Sequence, residues 1–411
     1  MKPETKKIYA LAVYLGDRQV GIINRLQGDH HIFSFVQDYI DDPNPPILSL
    51  SFKTSSGDMI APTRPVKTRL PPFFSNLLPE GHLASYLAQK IGVKKEREFF
   101  LLEALGLDLP GAVLIKPIEM SESAVSSHNE ARTIFSAEEK ITLRFSLAGV
   151  QLKFSAIAEA SGRLTIPANG MNGSWIVKLP STKFPAVPEN EFLMMSLAHD
   201  LGINVPAVKL MPIKDIKGLP QDTGNFSGNA LAIKRFDRGS KGERIHMEDF
   251  AQVFGIFPHS KYEKRNYSNI ASVLWAEAGE DSTYEFIRRI VFSIMIGNAD
   301  MHLKNWSLLY PNGLTPVLSP AYDLVSTVPY LPNDNLALTF GGSRSLNSIT
   351  KDQVRRFVDK ASLPMNKVWD IINETANQTI EAWHSLEQKD LLPPEILNQI
   401  NEHIIAVVIE S

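Results

Sequence analysis

The stretch "IGNADMHLKNWSLLY", residues 296–310, decides how the rest of the chain is read. Asp300 and Asn305 stand five residues apart, with His302 and Lys304 between them, and an apolar run follows. A second aspartate, Asp323, comes after "TPVLSPAY". These groups suit one chemistry: a carboxylate that takes a hydroxyl proton, and two oxygen donors for a hard cation such as Mg2+ on a nucleotide. Five residues is also the Asp-to-Asn interval of the protein-kinase catalytic loop. Singly, each residue has a plainer reading. Asp300 ends the helical run "FIRRIVFSIMIGN" like a cap, Asn305 is a turn residue and Asp323 another cap. Their common context makes three unrelated caps less attractive than one site.

The bulk numbers leave room for such a site. The chain has 411 residues, 44% of them hydrophobic, enough for a large core and two or three domains. Acids outnumber bases 45 to 42, which argues against a broadly basic nucleic-acid binder. There is no cysteine, so disulfides, thiolate nucleophiles and Cys-ligated zinc are excluded; a reducing cytoplasm fits. The start "MKPETKKIYALAVYLGDRQVG" has a basic end and an apolar run. That run, "IYALAVYL", is short, and Gly16 with Asp17 reads as a hairpin turn, so a first strand is expected rather than a signal peptide. No run approaches the ~18 apolar residues needed to cross a bilayer.

Periodicity divides the chain. "IYALAVYL", "QVGII", "HIFSFV" and "ILSLSF" read as strands. After Pro79 the spacing of Leu83, Tyr86, Leu87 and Ile91 predicts a helix stopped by Gly92. "EREFFLLEALG" predicts another helix, and "DLPGAVLIKP" a strand. Residues 1–117 thus form an N-terminal α+β subdomain, followed by a polar, serine-rich connector at 118–138. A strand-rich, nucleotide-binding lobe is expected over 139–240, including the helix "ENEFLMMSLAHDLG" with Leu193, Leu197 and Leu201 on one stripe and Glu191 and Asp200 opposite. From Met247 the pattern turns helical, with late helices near 349–361, 367–388 and 394–410, giving a helical catalytic lobe over 241–411. The fold class is α+β: a small first domain, then two lobes with a cleft between them.

Other residues fit the same cleft. Lys178 in "SWIVKLPS" is a charge inside a strand, able to neutralise α and β phosphates if paired with an acid such as Glu191. Its plainer role is an edge lysine covering apolar surface. "FSLAGVQLKFS" brings Gly149, Val150, Gln151 and Lys153 into a candidate phosphate loop, although a lone glycine is a weak signal and most such segments are ordinary hairpins; Ser146 reads here as a strand-edge hydroxyl. No Walker sequence occurs, which disfavours a P-loop ATPase. Ile233, Lys234 and Phe236 in "ALAIKRFDRG" would form a hinge whose backbone reads an adenine edge, while Arg235 and Asp237 read better as a structural ion pair. Lys304 is placed near a transferred phosphate and Tyr322 beside Asp323. His302 reads as a hydrogen-bond partner rather than a base, and no compact motif makes it or His246 a metal ligand.

Ordered motifs along nearly the whole chain resemble HipA-type serine/threonine kinases, the toxins of bacterial toxin–antitoxin pairs. They are "VYLGDRQVG", "FFSNLLPEG" and "GLDLPGAV" in the first domain, then "SLAGVQLK", "WIVKLP", "ENEFLMMSLAHDLGINVP", "RFDR", "RIHMEDFAQ", "KYE", "IGNADMHLKNWSL" and "LSPAYDLVS". The resemblance implies a two-lobed protein-kinase-like domain using ATP and Mg2+. It implies Asp300 as the catalytic acid–base residue, Asn305 and Asp323 as Mg2+ ligands, Lys178 as the ATP-phosphate lysine supported by Glu191, and Ser146 as a self-phosphorylated serine. A phosphate on Ser146 would repel nucleotide phosphates. It also implies a small helix-turn-helix antitoxin (HipB-like) as partner, operator DNA reached mainly through that antitoxin, and a protein substrate such as glutamyl-tRNA synthetase or another aminoacyl-tRNA synthetase. Two departures stand out: Leu152 replaces an acid of the family's loop, and Lys234 sits where an acid or neutral residue is common. Two other readings follow: a kinase-shaped scaffold that only holds an antitoxin on DNA, and a kinase for a small molecule.

Overall fold

The computed structural model describes residues 8–54, 56–60, 62, 64–119, 153–159, 163–167, 173–219 and 226–410. Ser146, Gly149, Val150, Gln151 and Leu152 lie outside the described residues, as does the expected connector beyond Glu119.

The first domain is built on a sheet of β1 (Ile8–Leu15), β2 (Arg18–Leu26), β3 (His30–Phe35), β4 (Val66–Lys67) and β5 (Val113–Glu119), ordered β4-β3-β2-β1-β5. All neighbours are antiparallel, and short hairpins join β1 to β2 and β2 to β3. Gly16, at φ 62, makes the expected turn between β1 and β2. Four helices complete the domain: α1 (Gln37–Ile40), α2 (Pro72–Ser75), α3 (Gly81–Lys90) and α4 (Glu98–Leu105). Phe73, Leu83, Leu87, Phe99 and Leu102 pack with Val13, Val20, Ile23 and Phe33 in one core. "ILSLSF" is not the strand its pattern predicts. Leu50–Phe52 is a 3-10 turn, because the Ser49 hydroxyl accepts from the Ser51 N–H and donates to buried Glu248 at 2.5 Å.

The second sheet comprises β6 (Lys153–Ala158), β7 (Leu164–Thr165), β8 (Trp175–Lys178), β9 (Val208–Pro212), β10 (Ile216–Lys217) and β11 (Asn229–Lys234), ordered β10-β7-β6-β8-β11-β9. Helix α5 (Val187–Asp200) lies against β9 and β11. Leu193 and Leu197 are buried as expected, but Glu191 is buried too and does not share a solvent face with Asp200. It turns inward to meet Lys178.

The third part holds β12 (His246–Asp249), α6 (Phe250–Val253), α7 (Tyr267–Val273), α8 (Gly279–Met295), β13 (Ser307–Tyr310), β14 (Val317–Leu318), β15 (Ser348–Thr350), α9 (Lys351–Ala361), α10 (Met365–Ser385), α11 (Pro394–Ala406) and β16 (Val408–Glu410). The helix predicted from Met247 begins only at Phe250. Met247 to Asp249 pair with Leu309 to Ser307, and a capping box between Asp249 and Gln252 starts the helix. The last predicted helix likewise stops at Ala406, and residues 408–410 pair in parallel with 348–350. Helix α8 is the central element of this lobe. Phe286, Ile287, Ile290, Val291 and Ile294 are buried along it. No described helix is long and apolar enough to cross a membrane.

The first domain is docked on the others by an apolar core shared with the second sheet and by polar contacts. Asp108, Arg235, Asp237 and Arg238 form a buried ion cluster, with Arg235 Nη2 2.7 Å from Asp237 Oδ2 and Arg235 Nη1 3.2 Å from Asp108 Oδ1. Gly111 N–H donates to Asp237 at 2.8 Å. Asn76 Nδ2 donates to the Ile256 carbonyl at 2.8 Å, and Gln252 Nε2 to the Phe73 carbonyl at 3.0 Å.

Candidate active site

Strands place the cationic side of the cleft. Lys178 ends β8 and stands opposite Lys153 at the start of β6. Both ammonium groups converge on Asp323: Lys178 donates to it and to Glu191, and Lys153 Nζ lies 3.5 Å from Asp323 Oδ1. A desolvated ammonium needs such partners. Burial works against the Lys178 charge, but the two carboxylates outweigh it and hold its pKa above the ordinary lysine range. Burial raises the Asp323 carboxyl, and Lys153 and Lys178 more than reverse that, holding it below the ordinary carboxylate range. Glu191 is pushed upward by burial, and by Asp323, against the pull of Lys178. Asp323 has φ 55, a left-handed conformation that aspartate tolerates better than bulky residues. Asn298 Nδ2 holds the Asp323 carbonyl at 3.2 Å.

The loop after α8 supplies the second set of groups. Gly297, at φ 67, turns the chain into the cleft; a Cβ there would meet Val328 Cγ1 at 2.7 Å. Asn298 Oδ1 accepts the Asp300 N–H at 3.1 Å. The Asp300 carbonyl accepts from the His302 N–H and from Asn305 Nδ2, each at 2.8 Å. These bonds fix the loop and aim the Asp300 carboxylate into the cleft, where the Tyr262 hydroxyl donates to Oδ1 at 2.8 Å. Although Asp300 is open to the cleft, the surrounding protein raises its carboxyl pKa, partly offset by Tyr262.

Asp300, Asn305, Asp323, Lys153, Lys178 and Glu191 all line one cavity of about 820 Å³. With Nδ2 committed to the Asp300 carbonyl, the Asn305 amide leaves Oδ1 as its acceptor. That oxygen and the Asp323 carboxylate fit Mg2+, which takes one or two protein oxygens and fills its octahedron with water and phosphate. Among the described residues no cluster of three or more His, Cys, Asp or Glu side chains is arranged to hold a metal alone.

The remaining expected residues fall in several places. Ile233, Lys234 and Phe236 line the same cavity. The Lys234 and Arg235 N–H groups are committed to Ala207 and Ser174 carbonyls at 2.8 and 2.9 Å. The Phe236 ring lies 5.7 Å from that of Tyr322, whose hydroxyl bridges Ser307 at 2.5 Å and the Lys304 carbonyl at 2.9 Å. Arg235 and Asp237 form the buried cluster described above. His302 is kept neutral, its pKa pushed down to about 3 by burial, and its ring meets Tyr262 edge-on at 5.0 Å. His246 is buried, and its Nε2 lies 2.8 Å from the Leu48 carbonyl. The Lys304 ammonium points to the first domain, 2.9 Å from the Asn76 carbonyl and 3.1 Å from Glu80. Tyr262, Asn298 and Glu80 were not singled out by sequence. Tyr262 and Glu80 sit inside the recognisable stretches "KYE" and "FFSNLLPEG", but their partners are 38 and 224 positions away.

A two-lobed, protein-kinase-like domain behind a small α+β domain is the class that this fold and cleft define. Profile matches identify both parts: HipA N-terminal domain over residues 11–116 and HipA-like C-terminal domain over 145–383. The chain therefore belongs to the HipA family. It is 48% identical over 401 residues to Y4dM of Sinorhizobium fredii, covering 97% of each chain. It is 29% identical over 423 residues to the serine/threonine-protein kinase toxin HipA of Shewanella oneidensis, covering 92% of this chain and 89% of that one. It is also similar to the solved Shewanella oneidensis HipA, HipB and operator DNA complex, with TM-score 0.70 and 25% identity over 96% of each chain.

Proposed function

We propose that this chain is an ATP- and Mg2+-dependent serine/threonine protein kinase acting as a growth-inhibiting toxin. The observation that carries the reading is the gathering of two sets of groups in one cavity: Lys178 with Glu191 and Asp323, and Asp300 with Asn305. Phosphoryl transfer needs positioning and charge stabilisation more than covalent help. Lys178 and Lys153 would hold nucleotide phosphates, and the hinge from Ile233 to Phe236 the adenine. Asn305 Oδ1 and Asp323 would hold Mg2+, whose charge neutralises the phosphate oxygens. Asp300 would orient an acceptor hydroxyl and take its proton as the new O–P bond forms and the bond to ADP breaks.

Family resemblance supplies finer expectations. Ser146 would be the self-phosphorylated serine, a small antitoxin the protein partner, DNA a contact made mainly through it, and an aminoacyl-tRNA synthetase the substrate. The named Shewanella complex supports the antitoxin and DNA part of this reading. Dephosphorylated protein is incubated with labelled ATP and Mg2+, alone and with heat-treated lysate, and new phosphates are mapped by mass spectrometry. Label on serine or threonine that disappears in Asp300→Ala is expected. No label on this protein or on any lysate protein would refute the reading.

A further inference from the structure

Three stretches meet at a point that the chemistry above leaves unused: "FFSNLLPEG" of the first domain, "KYE" at 261–263, and Lys304 of the catalytic loop. Glu80 stands immediately before α3. Its Oε1 lies 3.1 Å from Lys304 Nζ, and Oε2 lies 3.1 Å from Lys261 Nζ. Lys304 also donates to the Asn76 carbonyl at 2.9 Å, with Asp249 Oδ2 at 3.8 Å. Burial penalises the Glu80 carboxylate, and the two lysines reverse this, so it is held below the ordinary range and stays ionised.

Both gripped lysines connect directly to the group that faces the acceptor. Lys304 lies between Asp300 and Asn305 in the loop. The Lys261 carbonyl accepts the Leu303 N–H at 3.3 Å. The next residue, Tyr262, donates its hydroxyl to Asp300 Oδ1 at 2.8 Å, and its carbonyl accepts from Arg344 at 3.1 Å. One carboxylate from another domain thus ties together the two segments that aim Asp300. We propose that Glu80 is a positioning residue: by clamping Lys261 and Lys304 it fixes the Asp300 carboxylate on the acceptor side of the cleft.

General domain docking does not depend on it. The Asp108–Arg235–Asp237–Arg238 cluster and the Asn76 and Gln252 hydrogen bonds hold the domains independently. Glu80 makes no ion pair with Lys153 or Lys178, so its loss leaves the phosphate-binding lysines in place. This inference rests on the kinase reading, and two readouts keep them separable.

The test compares wild type with Glu80→Gln, and with Lys261→Gln, which cuts the same clamp from the other side. Initial rates of label transfer from Mg·ATP to heat-treated lysate give kcat and the KM for ATP. Amide exchange across residues 300–305 reports the loop without reference to activity. Misplacing a catalytic group by about 1 Å costs roughly 10²-fold, so kcat is expected to fall by that order, by more than any rise in KM for ATP that Asn305 in the same loop brings about. Exchange over 300–305 is expected to quicken. Wild-type kcat, or unchanged exchange over 300–305, would overturn the clamp. If wild type itself transfers no phosphate, the kinase reading fails, and the exchange measurement alone decides the clamp.

Discussion

Asp300→Asn separates the chemical role of this carboxylate from its cost to the fold. The substitution keeps the shape and leaves an Oδ1 acceptor for the Tyr262 hydroxyl. It removes the group that takes the acceptor proton. General base catalysis is worth about 10²–10⁴-fold, or about 3–5 kcal/mol of barrier at 1.36 kcal/mol per tenfold. Transfer should fall by that factor at saturating Mg·ATP. Nucleotide affinity should not change, because Asp300 pairs with neither Lys178 nor Lys153. Stability should move the other way. The folded protein raises the Asp300 pKa, so above the unfolded value of about 3.9 the charged form carries a penalty that the unfolded chain does not. Asn is never charged and escapes it. The variant should therefore melt at a slightly higher temperature at neutral pH, with the difference closing as pH falls through about 4. Labelled transfer, competition with a fluorescent nucleotide and melting curves read the three effects. A transfer rate within about threefold of wild type, against the 10²-fold floor, would refute the role. Parallel loss of ATP affinity would refute the division of labour.

Other substitutions probe different parts. Lys178→Met removes the cation shared by Glu191 and Asp323, and the melting shift induced by Mg·ATP should vanish; an undiminished shift would contradict a phosphate role. Arg235→Ala leaves Asp237 and Asp108 short of a buried partner. Breaking such a cluster from one side costs about 3–5 kcal/mol, reduced here by Arg238, and a loss under about 1 kcal/mol in urea unfolding would count against it. Glu248 is buried and its pKa is pushed up to about 7, chiefly by burial. Its charged form is penalised only in the folded state, so stability should fall as pH rises from about 4.5 to about 7 and then level. Glu248→Gln should flatten that part of a melting-temperature series; an unchanged slope would exclude Glu248 as its source.

Legibility followed sequence separation. Strand β1 and helix α3 were readable because composition, glycine turns and periodicity act within a few residues. Lys178 and Glu191 are only 13 apart, and the Asp300–Asn305 spacing lies within one loop. The wrong expectations came from tertiary contacts. "ILSLSF" has strand composition, but Glu248, 199 positions from Ser49, holds the turn. Met247 to Asp249 continue a helical pattern, yet β13 claims their backbone. The clamp on Lys304 could not be read from the loop, since Glu80 belongs to another domain.

Asp300, Asn305, Asp323 and Lys178 are assigned to act on one nucleotide. A crystal structure with Mg2+ and a non-hydrolysable ATP analogue tests this most directly. The expected complex has the metal about 2.0–2.1 Å from Asn305 Oδ1 and an Asp323 oxygen, phosphates on Lys178, and the terminal phosphorus facing Asp300. A nucleotide bound outside this cavity, or a metal that touches neither Asn305 nor Asp323, would contradict it.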